Sequence, residues 1–235
     1  MAKVWLVTGA SRGIGEAVAR RAAAAGDHVA LVARGEAVEG VAAELGGIGI
    51  RADLGDPSAL PGVVDAVVAQ YGRIDVLVNN AGVHLAGKLD RVSLDVFQTV
   101  LTTNLVGPFE LCRLVVPHMA PGSAIVNIGA VVGFRGFPGD SPYGAAKAGL
   151  AGLTLVLAVE LARTPISVNL IVPGATDTDI FNDVDEVARE RLIKRIPMRR
   201  MASADEIAAV VQWVAATPYM TGAVIPVDGG MMAGL

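Results

Sequence analysis

Seven short runs of apolar, largely β-branched residues constrain this chain most: Val4–Val7, His28–Val32, Gly47–Ala52, Ile74–Val78, Ala124–Ile128, Ile166–Val172 and Ala223–Val227. They are nearly continuous in apolar residues. A strand with one face in water alternates, whereas a strand covered on both faces does not. Helical stretches lie between the runs, roughly at 13–25, 57–71, 93–119, 143–163 and 203–216. Each is long enough to cross over between parallel strands. The alternation predicts one α/β domain over 1–235, a doubly wound parallel sheet of about seven strands with helices on both faces. The stretch 175–201 breaks the alternation and is rich in charge, from Asp177 and Asp179 to Lys194 and Arg195. Ligands of open parallel sheets sit beyond the carboxyl ends of the strands, so this stretch is expected to form a substrate lid.

Composition fits a covered sheet. Hydrophobic residues make up 53% and charged residues only 18%. So apolar a chain, with a net charge of −4, is not disordered. Its single cysteine, Cys112, excludes a disulfide scaffold. The lack of a basic excess argues against nucleic acid as a partner. A mean hydropathy of +0.54 raises the question of a membrane. No uninterrupted apolar run approaches the ~20 residues of a spanning helix, and no signal-peptide pattern is visible, so a soluble, cytoplasmic protein is expected. His28, His84 and His118 show no metal-ligand spacing, and no metal is expected.

Four motifs carry chemistry. Thr8-Gly9-Ala10-Ser11-Arg12-Gly13-Ile14-Gly15 follows a strand and opens a helix. Glycines in that context let a pyrophosphate approach the backbone at a positive helix N-terminus, as in Rossmann-type folds. At the end of the second run, Ala33 stands where a carboxylate would hold an NAD ribose, and Arg34 follows it. Arg12 and Arg34 together favour the 2′-phosphate of NADPH. Asn79-Asn80-Ala81-Gly82 follows the fourth run. Tyr143 and Lys147 lie one helical turn apart on one face, where the ammonium is expected to lower the phenol pKa towards neutral and make it a general acid.

Together these motifs resemble the short-chain dehydrogenase/reductase family over the whole chain. The resemblance also covers Asp53-Leu54, Asn104, Pro173-Gly174 with Thr178, and Asp228-Gly229-Gly230. The segments 127–133 and 143–149 look most like β-ketoacyl thioester reductases. The resemblance implies NADPH-dependent reduction of a ketone, borne on acyl carrier protein or CoA, by a homotetramer assembled through 93–119 and 143–163. It makes Tyr143 the proton donor to the carbonyl oxygen and gives Lys147 the nicotinamide ribose. It sets Gly9, Ser11, Arg12, Gly13, Ile14 and Gly15 at the phosphates, and Asp53 and Leu54 beside the adenine. Asn79, Ala81 and Gly82 would line the adenosine ribose, and Pro173, Gly174, Thr176 and Thr178 the nicotinamide end. Asn104 would hold a water feeding protons to Lys147. Pro108 lies four residues later and has no N–H, so the Asn104 carbonyl loses its helical donor.

One position departs from the family. Its catalytic serine falls thirteen residues before the tyrosine, which here is Ala130. Whether by engineering or by natural divergence, the hydroxyl that would bond the substrate oxygen is missing. Losing such a donor typically costs on the order of 10²–10³ in rate. Ser141 is a conceivable substitute. Other ketones or secondary alcohols are alternative substrates, and a non-catalytic NADPH-binding protein is the alternative of a different class. Arg135, Arg163, Arg199 and Arg200 are candidates to meet an acidic carrier protein.

Overall fold

A computed structural model describes residues 2–178 and 185–233. The strands are β1 (Val4–Thr8), β2 (His28–Ala33), β3 (Ile48–Arg51), β4 (Val76–Asn79), β5 (Ala124–Ile128), β6 (Ser167–Pro173), β7 (Thr176–Asp177), β8 (Ala202–Ser203) and β9 (Val224–Val227). Seven of them form one parallel sheet in the order β3-β2-β1-β4-β5-β6-β9. The order reverses at β1, between β2 and β4, which opens a crevice at the carboxyl edge of the sheet. Every residue of β1, β4, β5 and β6 is buried, which is why these runs read as continuous rather than alternating.

The helices are α1 (Gly13–Ala24), α2 (Ala37–Glu44), α3 (Leu60–Tyr71), α4 (Leu94–Leu101), α5 (Gly107–Val115), α6 (Ser141–Glu160), α7 (Glu186–Arg195) and α8 (Ala204–Ala215). One apolar layer joins α1, α2 and α8 to one sheet face, around Val7, Val18, Leu31 and Val211. Another joins α3, α5 and the end of α6 to the opposite face, around Leu6, Val67, Leu111 and Ile125. Ser93 caps α4 through the Val96 N–H, Asp185 caps α7 through the Ala188 N–H, and Ser203 with Glu206 forms a capping box on α8.

Several boundaries differ from expectation. Helix α2 is absent from the sequence reading; it is only eight residues long, carries Gly40 and has no side-chain cap. The expected helix over 93–119 is helical from 94 but takes a π turn at 102–106, where Gly107 N–H reaches back to the Thr102 carbonyl. Pro108 supplies the cause, because it cannot donate to the Asn104 carbonyl. β1, β2, β4 and β6 each run one residue past the apolar stretch, to Thr8, Ala33, Asn79 and Pro173.

Within the expected lid, residues 179–184 lie outside the described residues. Its remainder holds β7 and α7, and Thr176 of β7 pairs with Ala202 of β8 just beyond it. Two helical stretches, 94–118 and 141–163, are long and apolar enough to cross a membrane, at mean hydropathies of 1.2 and 1.6. The first runs through α4 and α5, the second through α6; α4 packs on α6 and α6 on β6. Val106, Phe109, Leu155, Val156 and Val159 remain exposed on them.

Candidate active site

A cleft of about 460 Å³ opens beyond β1, β2 and β4. Its floor is the turn after β1. Gly9 adopts φ +64°, and a Cβ there would lie 2.8 Å from the Ala81 Cα. Only glycine accepts both the left-handed backbone and that approach. A Cβ on Gly15 would collide with the Gly9 carbonyl oxygen, so Gly15 lets α1 close onto the turn and does not itself line the cleft. Arg12 occupies the N-cap of α1 in extended conformation without a side-chain cap bond. Helices α4, α7 and α8 are capped by side chains, whereas the first N–H groups of α1 face the cleft without one. That end of the helix suits an anion.

The walls hold most of the residues expected to bind a dinucleotide. Ser11, Arg12, Gly13 and Ile14 line one side and Arg34, Asp53 and Leu54 the other, with Ala81, Gly82 and Thr178 closing it. No carboxylate stands at Ala33, and Arg12 and Arg34 are both exposed on the rim.

Asn79 is a correction. It is 1% exposed, and its Nδ2 donates to Asn127 Oδ1 at 2.8 Å, beneath the cleft rather than in it. Because β4 extends through Asn79 and side chains alternate, Asn80 is the residue that reaches the cleft. Asn80 Nδ2 donates to the Thr8 and Gly9 carbonyls at 2.9 and 3.1 Å, and Thr8 Oγ1 accepts from the Asn80 and Ala81 N–H groups at 3.0 Å. Thr8 and Asn80 thus tie the two turns together, a role that their motifs in the sequence do not announce.

Pro173, Gly174 and Thr176 lie at the carboxyl end of β6, outside the walls of the cleft. Gly174 N–H donates to Val227, and a Cβ on it would strike Asp228, so the segment is pressed against the chain after β9. Thr176 is buried, with its hydroxyl on the Gly174 carbonyl.

The reaction end is assembled from α6, the π turn and the end of β5. Lys147 is 3% exposed, its Nζ donates to the Ile128 carbonyl at 2.7 Å, and it stands 5.5 Å from the centroid of the Tyr143 ring. A Cβ on Gly82 would lie 3.8 Å from that Nζ and would strike Asn104 Oδ1. Lys147 and Asn104 therefore converge directly behind the Gly82 wall. Asn104 Nδ2 donates to the Val83 and Val100 carbonyls, which fixes the amide orientation and leaves the buried Oδ1 without a partner. A buried acceptor left so is costly unless a ligand or water serves it.

Burial and the nearby Asp140 charge push the Tyr143 phenol up to about 12, and burial lowers Lys147 to about 8. The expected acidification of Tyr143 is therefore not built by the chain alone. Burial and the Asp140 charge both oppose phenolate formation. Tyr143 keeps part of its surface open, which limits how much of the desolvation penalty its hydroxyl feels.

Ala130 lies two residues after β5, in extended conformation, and opens the short turn 131–133. That turn packs directly on α6: Gly133 abuts the Lys147 and Ala148 backbone, and the Val132 carbonyl faces Gly144. His84, which the sequence showed only as one of three histidines without metal-ligand spacing, meets Tyr143 edge-on at 5.0 Å and bonds Asp140 at 2.8 Å. Of the four arginines considered for a carrier protein, three bond within the chain: Arg135 to the Met231 carbonyl, Arg199 to the Lys194 carbonyl and Arg200 to Glu206.

A family model described as enoyl-(acyl carrier protein) reductase matches residues 9–232. The chain is 38% identical over 243 residues to the 3-oxoacyl-(acyl-carrier-protein) reductase of Thermotoga maritima, covering 98% of both. It is 38% identical over 236 residues to the human 3-oxoacyl-(acyl-carrier-protein) reductase, again covering 98% of both. Among solved structures, it superposes with a TM-score of 0.93 on a short-chain dehydrogenase from Burkholderia cenocepacia in complex with NADP, at 36% identity and 98% coverage of each chain. A blue fluorescent protein from a metagenomic library, in complex with NADPH, also gives 0.93, at 35% identity and 97% coverage of each. The chain belongs to the short-chain dehydrogenase/reductase family.

Proposed function

We propose that this chain is an NADPH-dependent ketoreductase whose substrate is a 3-oxoacyl thioester on acyl carrier protein or CoA. The observation that carries the reading is the buried Lys147 ammonium, one helical turn from Tyr143 and directly behind the Gly82 wall of a glycine-floored cleft. The cleft fits a dinucleotide. The uncapped N-terminus of α1, with Gly9, Ser11, Gly13 and Ile14, would hold the pyrophosphate, and Arg12 and Arg34 the 2′-phosphate. Asp53 and Leu54 would flank the adenine, and Ala81 and Gly82 the adjoining ribose. Gly174, Thr176 and Thr178 would border the nicotinamide end, with Pro173 fixing the backbone that leads to them. When bound, NADPH supplies the hydride that reaches the carbonyl carbon.

The chain's own residues handle the proton. Tyr143 gives its hydroxyl proton to the carbonyl oxygen, and the Lys147 charge stabilises the phenolate left behind. The unpartnered Asn104 Oδ1 is suited to hold a water that returns a proton towards Lys147. Ala130 leaves the substrate oxygen without the second donor that a hydroxyl would supply, so turnover is slow for an enzyme of this design. The relatives' printed names support the substrate class, and the neighbours' bound NADP and NADPH support the cofactor. The exposed apolar residues on α5 and α6 and in the π turn between α4 and α5 support a homotetramer.

The test is NADPH oxidation with 3-oxoacyl thioesters on CoA and on carrier protein, beside 2-enoyl thioesters and simple ketones. Turnover should be fastest with the oxo thioesters. Consumption confined to the enoyl thioesters would transfer the chain to double-bond reduction. NADPH binding without turnover of any of them would favour a non-catalytic binding protein.

A further inference from the structure

Asp140 occupies the N-cap of α6, where an aspartate ordinarily accepts from the helix's first N–H groups. It makes no such bond. Its Oδ1 instead meets His84 Nε2 at 2.8 Å, with both side chains partly exposed. The imidazole lies edge-on to the Tyr143 ring at a centroid distance of 5.0 Å and an interplanar angle of 71°.

The two loops that bring these groups together are pinned. Gly87 N–H donates to the Gly139 carbonyl at 2.9 Å, and Gly139 adopts φ +94°. The Val83 carbonyl, just before His84, accepts from Asn104 Nδ2 at 2.9 Å. Gly144 N–H holds the Asp140 carbonyl at 2.7 Å. Among the described residues, the titratable groups set against Tyr143 are His84 from the loop after β4, Asp140 from the loop before α6, and Lys147 from α6 itself. Those set against His84 are Asp140 and Tyr143.

We propose that His84 and Asp140 form a couple that governs how readily Tyr143 gives up its proton, with His84 as a positioning residue that holds the Asp140 carboxylate on its ring nitrogen. Proton donation leaves a negative phenolate beside Asp140. A bare carboxylate opposes that charge more strongly than one engaged by a ring N–H. A chain without a hydroxyl at Ala130 leans the more on Tyr143, so the couple weighs more here than it would beside a serine.

This inference rests on the ketoreductase reading, and two measurements separate their failures. The first is kcat/KM for 3-oxoacyl thioester reduction at pH 7. His84→Ala should leave Asp140 bare and lower kcat/KM about tenfold, one pKa unit's worth. Removing the carboxylate as well, in His84→Ala with Asp140→Asn, should restore it. The second needs no turnover. Tyrosinate absorbance is titrated from pH 8 to 12.5, with Tyr143→Phe subtracted to isolate Tyr143. Asp140→Asn should move the Tyr143 midpoint down, and His84→Ala should move it up. Unmoved midpoints, or a double variant no faster than His84→Ala, overturn the couple and leave His84 and Asp140 as loop packing. A lowered midpoint in a chain that reduces no ketone upholds the couple and refutes the ketoreductase reading instead.

Discussion

The two ends of the site are built from different materials. The end near β1 and β2 is made of backbone: glycine turns, the uncapped start of α1 and the Thr8–Asn80 ties that lock β1 to β4. Its charged groups Arg12, Arg34 and Asp53 are at the exposed rim. The end near α6 is made of side chains taken out of water: Lys147 on a carbonyl, Asn104 with an unpartnered oxygen, and Tyr143 between Lys147 and the His84–Asp140 pair. Backbone sites depend on shape and tolerate changes of charge only at the rim. Buried polar sites depend on every partner, because each lost group leaves another unsatisfied. Changes at the first end should therefore move binding, and changes at the second should move turnover.

The largest effect that sharpens this contrast is at Tyr143. Tyr143→Phe should lower kcat about 10²–10⁴-fold while NADPH affinity, read by fluorescence, changes little. Arg34→Asp should do the reverse, weakening NADPH binding by about 10²-fold relative to NADH, because a charge-assisted bond is replaced by repulsion. Equal loss for both cofactors would remove the assignment of Arg34 to the 2′-phosphate. Gly15→Ala should weaken both cofactors by about tenfold, since a collision with the Gly9 carbonyl shifts the turn itself. The smallest effect is on pH. Lys147, held at about 8, loses its charge above that value, so ketone reduction should fall several-fold between pH 7.5 and 9.5, as read from initial rates. The sign for stability is opposite. A lysine with a lowered folded value binds fewer protons in the folded state, so its burial costs most below about pH 8. That cost is relieved as pH rises towards the ordinary lysine value. Denaturant midpoints should show this rise in the native chain and lack it in Lys147→Met.

The same contrast explains what could be read in the sequence. Buried parallel strands announce themselves by continuous apolarity, and a phosphate turn by glycines between a strand and a helix, so the sheet and the residues around Gly9–Gly15 were legible. Helix α2 was not, because eight residues with an internal glycine carry little periodicity. Apolarity also ended β4 one residue early, and with alternating side chains that single residue decides that Asn79 lies beneath the cleft and Asn80 faces it. At the other end, Tyr143 and Lys147 were visible because one helix carries both. His84 and Asp140 lie 56 residues apart and meet only through tertiary packing, so the charge that sets Tyr143 against donation had no local signature. The π turn was legible only in its cause, Pro108, and not in its form.

The most direct measurement concerns the one group that the reaction end lacks. Ala130→Ser adds a hydroxyl two residues after β5, beside the turn packed on Gly144 and Lys147. Steady-state NADPH oxidation with an acetoacetyl thioester, together with NADPH affinity, should be compared for the two forms. A ketoreductase short of one oxyanion donor predicts a rise in kcat of about 10²–10³ with unchanged NADPH affinity. Equal rates in the two forms, or no turnover by either while both bind NADPH, would contradict it.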